Sequence, residues 1–324
     1  MSTIAATYIQ TFFSTPVHIA IGAIYALLIS ASVISFTLRK LSPGDATTEL
    51  SQRVRSWWWM ITVFTVAILT NRVVSTVFLA LMSFLALKEY LSLVPTRRVD
   101  RSILLWAYLA IPLQFYLAHV GRFGLFTVFI PVWMFLFLPA RITLSGHTEG
   151  FLRAVGIMSW GLMITVFSLS HTAMLLTFGV KLGYGAGPLL FLVALTEFND
   201  VAQFTTGKLF GRHKILPSVS PKKTWEGFLG GLVTTALVAA FVGPTLTPMP
   251  MVVSAAAGAI IAGAGFLGDV TISACKRDLG VKDASQLIPG HGGILDRVDS
   301  LIYSAPVFYH LLHYFYGIWP AQTL

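Results

Sequence analysis

Long apolar runs alternate with short polar segments along almost the whole chain. A helix needs about 20 residues to cross the hydrocarbon core of a bilayer, and by that length the pattern predicts ten transmembrane helices. These helices lie near residues 16–38, 56–70, 73–93, 103–120, 123–139, 152–173, 185–206, 227–246, 251–272 and 297–318. Only Asn71 and Arg72 separate the second run from the third, so these two runs form either a long tilted hairpin or a re-entrant pair. The pattern predicts an all-α polytopic membrane protein.

The positions of the basic residues test this helix count, because cytoplasmic loops of membrane proteins are rich in Lys and Arg. Nineteen of the 22 basic residues fall in or beside the segments that follow odd-numbered helices. The three exceptions are Arg72, Arg122 and Lys181. The asymmetry favours ten helices with both termini on the non-cytoplasmic side.

Composition agrees with a membrane protein. The chain has 324 residues, of which 56% are hydrophobic and 11% are charged, whereas about 25% of the residues of a soluble domain are charged. The net charge of +9 is spread over separate loops, so it indicates contact with anionic lipids rather than with nucleic acid. A single cysteine, Cys275, excludes an intramolecular disulfide. The first apolar run lacks a cleavage site, and we interpret it as a retained helix.

The acidic residues divide the chain into two regions. Eight of the 13 lie between Glu197 and Asp299. A glycine-rich link at 182–188 precedes them. We therefore expect residues 1–180 to form a transmembrane scaffold around a lipid cavity, and residues 181–324 to carry the chemistry.

The most polar part of the chain is the segment 268–300, between the last two predicted helices. Asp269, Ser273 and Lys276 share one face of the ninth helix where it leaves the membrane. Asp296 and Asp299 share one face of the tenth helix where it enters. Two helix ends that bear carboxylates can meet around Mg²⁺, which takes a few carboxylates together with substrate phosphates and water.

A glycine-rich turn at 289–293 connects these helix ends. Backbone N–H groups in such a turn can approach a phosphate closely. The alternative is a salt-bridged hairpin without a ligand, but such a hairpin has no need of glycines on both sides of His291.

Two further polar groups lie upstream. Glu197 and Asp200 share a face of the seventh helix, where they either line a functional cavity or belong to a network that locks helix packing. The loop before the eighth helix carries Ser220, Lys222, Lys223 and Thr224. These residues either hold phosphates at a helix N-terminus or serve as a membrane anchor and a helix cap.

The spacing of these residues resembles the signature of the phosphatidate cytidylyltransferases, also called CDP-diacylglycerol synthases. The resemblance covers residues 185–305. It rests on Asn199-Asp200, on the segment 220–227 (SPKKTWEG), and on the pattern formed by Ser273, Lys276, Arg277, Lys282, Asp283, Pro289, Gly290, His291, Gly292, Gly293, Asp296, Arg297 and Asp299.

The resemblance implies transfer of CMP from CTP to phosphatidate with Mg²⁺, yielding CDP-diacylglycerol and pyrophosphate. It implies a catalytic group made of Asp269, Asp296, Asp299, Lys276, Arg277 and His291, with metal ligands among Asp269, Asp296, Asp299 and Asp283. It implies substrate contacts from Lys222, Lys223, Ser220, Thr224, Lys282, Gly290, Gly292, Gly293 and Arg297. Asp200 and Glu197 would bind a second cation or order the lipid head group.

By the same resemblance we expect a homodimer in the bacterial inner membrane. The distribution of basic residues predicts that the active site faces the cytoplasm. CTP, phosphatidate and membrane lipids are the expected partners.

Two departures from the family pattern leave alternatives open. Gln203 stands where the family often has Tyr, and Ser285 stands where it often has Gly. A related enzyme that uses another anionic lipid is one alternative, and a CTP-dependent kinase of a lipid alcohol is another. A transporter that uses Glu197 and Asp200 as an ion relay is the third, but it leaves the turn around His291 unexplained.

Overall fold

The computed structural model describes residues 14–95, 101–144, 146, 149–288 and 292–317. In these ranges the chain folds into ten continuous helices without a strand. They are α1 Thr15–Leu41, α2 Asp45–Thr70, α3 Arg72–Leu93, α4 Arg101–Val120, α5 Phe123–Thr143, α6 Phe151–Lys181, α7 Gly187–Phe210, α8 Trp225–Leu246, α9 Met251–Asp278 and α10 Leu295–Tyr316. Each one coincides with a predicted run, which confirms the all-α class.

Seven of the described helices are long and apolar enough to cross a membrane, namely α1, α3, α4, α5, α6, α8 and α9. The other three, α2, α7 and α10, lack an apolar stretch of that length and composition. The polar residues in α7 and α10 include the carboxylates that the sequence marks as candidate site residues. The predicted number of ten helices is thus confirmed, and seven of the described helices have the length and composition of a membrane span.

Several helices extend beyond the apolar run that predicts them. Helix α9 continues past residue 272 to Asp278, and α2 begins at Asp45 rather than near residue 56. Hydropathy marks the part of a helix that lies in lipid, whereas Lys, Arg and Glu are good helix formers that prolong it into water. Because α9 is longer than its apolar run, Lys276 and Arg277 lie within a regular helix.

Helices α2 and α3 form an antiparallel hairpin, and whether this hairpin crosses the membrane or re-enters it stays a prediction. Asn71 lies between them, and its side chain caps α3 by accepting a 2.9 Å backbone N–H bond. The Ser75 hydroxyl donates to the Ala67 carbonyl at 3.0 Å, and the rings of Phe64 and Phe78 lie 6.4 Å apart. The reversal at Asn71 returns α3 toward the end of the bundle from which α2 came.

The last four helices pack closely through small residues. Gly258 of α9 lies directly against Ala239 of α8, and Gly268 of α9 lies directly against the backbone carbonyl of Asp299 in α10. A Cβ atom at either glycine would overlap with its neighbour. Such small residues let helix backbones approach closely, and at Gly268 this approach brings the two carboxylate-bearing helix ends together.

Asn199 of α7 lies at the centre of this packing. It is fully buried, its amide donates to the carbonyl of Ala262 in α9 at 3.4 Å, and its oxygen accepts from Thr235 of α8 at 3.4 Å. Asn199 therefore belongs to a polar network that locks helix packing, which is the alternative that the sequence left open for its neighbours Glu197 and Asp200. Because α10 also packs against α6, one hydrophobic core includes both parts of the chain.

Candidate active site

An ion pair joins the end of α9 to the start of α10. Lys276 Nζ donates to Asp296 Oδ1 at 2.6 Å, and each residue is only 8% exposed. The second oxygen, Asp296 Oδ2, accepts from the backbone N–H groups of Ala284 at 2.8 Å and Gly293 at 2.9 Å. Asp296 thus holds both ends of the connecting loop. A metal ion bound by Asp296 would have to share its carboxylate with Lys276 or displace it.

A second ion pair joins α9 to the loop before α8. Lys223 Nζ lies 2.5 Å from Asp269 Oδ2 and 4.7 Å from the centre of the Phe266 ring. The Ser273 hydroxyl donates to the other oxygen, Asp269 Oδ1, at 3.2 Å. Two of the elements singled out in the sequence, the basic loop and the acidic face of α9, therefore meet.

A third contact joins α7 to α10. The Ser300 hydroxyl lies 3.2 Å from Asp200 Oδ2 and 3.4 Å from Asp299 Oδ1, and the Ser300 backbone N–H donates to Asp299 Oδ1 at 2.7 Å. One hydroxyl proton can serve only one of these carboxylates at a time. Asp269 is close enough to both to interact electrostatically. Three carboxylates from three helices thus face a common region.

Arg297 supplies positive charge to this region. It interacts electrostatically with Glu197, Asp200 and Asp299. Its Nε atom is buried, and no hydrogen-bond acceptor lies opposite it among the described residues. An unpaired buried donor is costly, so the site fits a ligand that brings an acceptor such as a phosphate oxygen.

The carboxylates do not form a ready-made metal cage. Within the described parts of the chain, no three Asp, Glu, His or Cys side chains come together as a metal-binding group. Mg²⁺ is often held by only one or two carboxylates, with substrate phosphates and water completing its shell. The chemistry of Asp200, Asp269 and Asp299 fits a cation that arrives together with a nucleotide.

The loop between α9 and α10 closes at a bridge between Ile288 and Gly292. The Ile288 N–H donates to the Gly292 carbonyl at 2.8 Å, and Gly292 has a φ of 79°, which favours glycine. Pro289, Gly290 and His291 lie outside the described residues, so the roles predicted for Gly290 and His291 stay predictions. Lys282 and Asp283 are exposed on the described part of the loop.

Two of the predicted residues make structural contacts. Arg277 donates from Nε to the Val219 carbonyl at 3.2 Å and from Nη1 to the Val281 carbonyl at 3.1 Å, which ties the two loops together. Thr224 caps α8 by accepting from the Gly227 N–H at 3.1 Å, as the capping alternative anticipated.

Within the described ranges, Ser220 and Lys222 of the same loop make no comparable contact that ties elements together. Lys222 is exposed, and Ser220 is half-buried. Both stay candidates for substrate contact.

Glu89 of α3 is not among the site residues predicted from the sequence, yet it reaches the site from the first half of the chain. It is 8% exposed, and its Oε1 accepts from the Ser285 hydroxyl at 2.8 Å and from the Ile294 N–H at 3.0 Å. Its Oε2 accepts from the Leu295 N–H at 2.8 Å. A Cβ atom at Gly293 would overlap with this carboxylate. Glu89 therefore caps the N-terminus of α10 beside the loop that Asp296 holds.

Two signals in the sequence could have revealed Glu89. It stands inside a strongly apolar run, where a carboxylate is costly without a partner. Its partner Ser285 is one of the two departures from the family pattern. The first half of the chain thus contributes directly to the walls of the site.

The fold and the site define a polytopic membrane protein whose polar helix ends are suited to phosphate chemistry. Residues 51–315 match the profile of the Cytidylyltransferase family, and the chain belongs to this family of membrane nucleotidyltransferases. The resemblance to phosphatidate cytidylyltransferases is thereby confirmed.

Individual relatives differ in how much of the chain they match. The chain is 44% identical over 296 residues to the uncharacterized protein YnbB of Escherichia coli (strain K12). This alignment covers 91% of this chain and 98% of that protein. It is 33% identical over 189 residues to the phosphatidate cytidylyltransferase of Mycobacterium bovis, covering 57% of this chain and 61% of that protein. The corresponding enzyme of Haemophilus influenzae is 44% identical over 143 residues, covering 41% of this chain and 46% of that protein. The match spans about half the length of these two enzymes.

Proposed function

We propose that this protein transfers CMP from CTP to phosphatidate, yielding CDP-diacylglycerol and pyrophosphate. One observation carries the proposal. Asp200, Asp269 and Asp299 face one region together with Lys223 and the unpaired Nε atom of Arg297. Alternating positive and negative groups of this kind suit a nucleoside triphosphate with its counter-ion, in a chain of the Cytidylyltransferase family.

The reaction requires positioning and charge neutralisation more than a protein nucleophile. A phosphate oxygen of the lipid forms a bond to the α-phosphorus of CTP. The bond from that phosphorus to the bridging oxygen breaks, and pyrophosphate leaves in line with its electron pair. Lys223 and Arg297 neutralise phosphate oxygens, and Asp269 orients Lys223. The buried pair of Lys276 and Asp296 keeps the two helix ends in register.

Magnesium is the proposed cofactor. Asp200, Asp269 and Asp299 would hold it together with phosphate oxygens, and Asp296 would join them by sharing its carboxylate with Lys276. When bound, the ion would neutralise the negative charge that builds up on the phosphates. A second cation beside Glu197 and Asp200 belongs to the same proposal.

The test uses purified protein with CTP, Mg²⁺ and phosphatidate, and it measures released pyrophosphate and the labelled lipid. We expect Asp269→Asn and Asp299→Asn to lower turnover by a hundredfold or more, about 3 kcal/mol of transition-state stabilisation. Asp278→Asn is the matched control, because Asp278 is an exposed carboxylate at the end of the same helix α9. Normally folded Asp269→Asn and Asp299→Asn proteins with full activity would refute the proposed site.

A second candidate is the same reaction with another anionic lipid as acceptor. The uncharacterized relative YnbB matches over almost its full length, whereas the two phosphatidate cytidylyltransferases match over about half of theirs. Gln203, which stands where the family often has Tyr, has a buried amide nitrogen without a hydrogen-bond partner among the described residues. A panel of lipid acceptors in the same assay separates the two candidates. A label on the γ-phosphate of CTP identifies a lipid-alcohol kinase instead, because only that enzyme leaves this label on the lipid.

A further inference from the structure

A cleft of about 530 Å³ lies between α1 and α2, and none of the candidate active-site residues that the structure describes lines it. Its walls carry hydroxyl groups from Ser32, Ser35 and Ser51 and guanidinium groups from Arg39 and Arg55. These residues come from the end of α1 and the first half of α2, where the apolar runs predicted from the sequence meet polar chain. The cleft is therefore located where lipid head groups meet the protein.

Specific contacts hold the inner part of this cleft in shape. The Trp58 indole N–H donates to the Ser32 hydroxyl at 2.9 Å, and the Tyr25 hydroxyl donates to Thr62 Oγ1 at 3.3 Å. The rings of Tyr25 and Trp58 lie 5.8 Å apart. These contacts join α1 to α2 on the membrane side of the two arginines. They therefore fix the shape of the inner end of the cleft.

The charge of the cleft is positive. Arg39 and Arg55 are both exposed, and none of the described residues that line the cleft is acidic. The nearby carboxylate of Glu49 is already paired with Arg53 at 2.6 Å, and Arg53 does not line the cleft. Arginine binds phosphate oxygens in a bidentate manner, and two arginines within one concave surface favour a phosphate group.

An apolar surface continues from the cleft along α1. Ile29, Val33 and Phe36 are 53%, 59% and 61% exposed. A phosphate-binding end joined to an exposed apolar helix face matches the two parts of a phospholipid. We propose that this cleft binds the phosphate head group of an anionic membrane phospholipid, with its acyl chains along α1. This site is separate from the proposed active site and does not depend on the proposed reaction.

The experiment measures phospholipid retained by the detergent-purified protein, by native mass spectrometry after titration with phosphatidylglycerol or with phosphatidylcholine. We expect the unchanged protein to bind phosphatidylglycerol in preference, and the double variant Arg39→Gln, Arg55→Gln to bind it about tenfold more weakly. Arg55→Gln and Arg53→Gln, each measured singly, form the matched pair, because each removes one positive charge from α2 and only Arg55 lines the cleft. Arg55→Gln should weaken binding, whereas Arg53→Gln should bind like the unchanged protein.

Each alternative outcome has a distinct signature. Binding of phosphatidylcholine as tight as that of phosphatidylglycerol would overturn the site. Equal losses of affinity in the double variant and in Arg53→Gln would also overturn it, because arginines that only extend to the lipid interface act through their charge and not through their position in a cleft. Displacement of the lipid by millimolar inorganic phosphate would show a site for free phosphate and would overturn the lipid assignment. If the double variant does not fold, Arg39→Gln and Arg55→Gln are measured singly, with the same expected direction.

Discussion

The contacts of Glu89 predict that this residue of α3 controls a site built mainly by the second half of the chain. Its carboxylate accepts from Ser285 Oγ, Ile294 N and Leu295 N at 2.8–3.0 Å. Glu89→Ala leaves the two backbone N–H groups buried without partners. At about 1–3 kcal/mol for each unsatisfied group, the variant should lose roughly 2–6 kcal/mol of stability.

The loss should also appear in catalysis, because the loop that carries Gly293 is held by Glu89 on one side and by Asp296 on the other. We expect Glu89→Ala to lower kcat more than it raises KM for CTP, since a loosened loop positions the reacting groups less well. Glu89→Gln should be intermediate, because one of its terminal atoms becomes a donor facing donors. The measurements are pyrophosphate release at varied CTP and the melting temperature in detergent.

The control for this prediction is Lys88→Gln, which changes the exposed neighbouring residue of the same helix. Gly293→Ala provides an independent check, because its Cβ atom would overlap with the Glu89 carboxylate. In the double variant Glu89→Ala, Gly293→Ala the two effects should be less than additive, since removing the carboxylate removes the overlap. A folded Glu89→Ala protein with unchanged kcat and unchanged melting temperature would refute this reasoning.

Three further predictions follow from the ion pairs and the charge asymmetry. Lys223→Met should reduce kcat/KM by about tenfold or more by leaving phosphate charge unneutralised, measured by pyrophosphate release, whereas an unchanged value would remove Lys223 from the site. Lys276→Met should destabilise the protein by about 3–5 kcal/mol, because it leaves the buried carboxylate of Asp296 unpaired; adding Asp296→Leu should restore part of the melting temperature but no activity. A Lys282→Cys protein with Cys275→Ser should react with an impermeant maleimide from the cytoplasmic side only, and labelling from the opposite side would reverse the predicted orientation.

The sequence by itself determined the helices and the family. Apolar runs report which parts of a helix can lie in lipid, and this property depends on neighbouring residues only. The signature around Asp269, Asp296 and Asp299 can also be recognised in the sequence, because residues on one helix face recur at fixed spacing. Helix ends were less accurate, since helices such as α9 continue into polar chain that hydropathy does not mark.

Only the tertiary structure decided which charged groups meet. Glu89 caps α10 across 206 positions of sequence, and no periodicity connects residues so far apart. Lys223 meets Asp269 because a loop folds over α9, and Arg277 holds loop carbonyls instead of pointing toward the carboxylates. The sequence shows which residues have side chains capable of phosphate chemistry. Helix packing decides which of these residues face a substrate and which stabilise the fold.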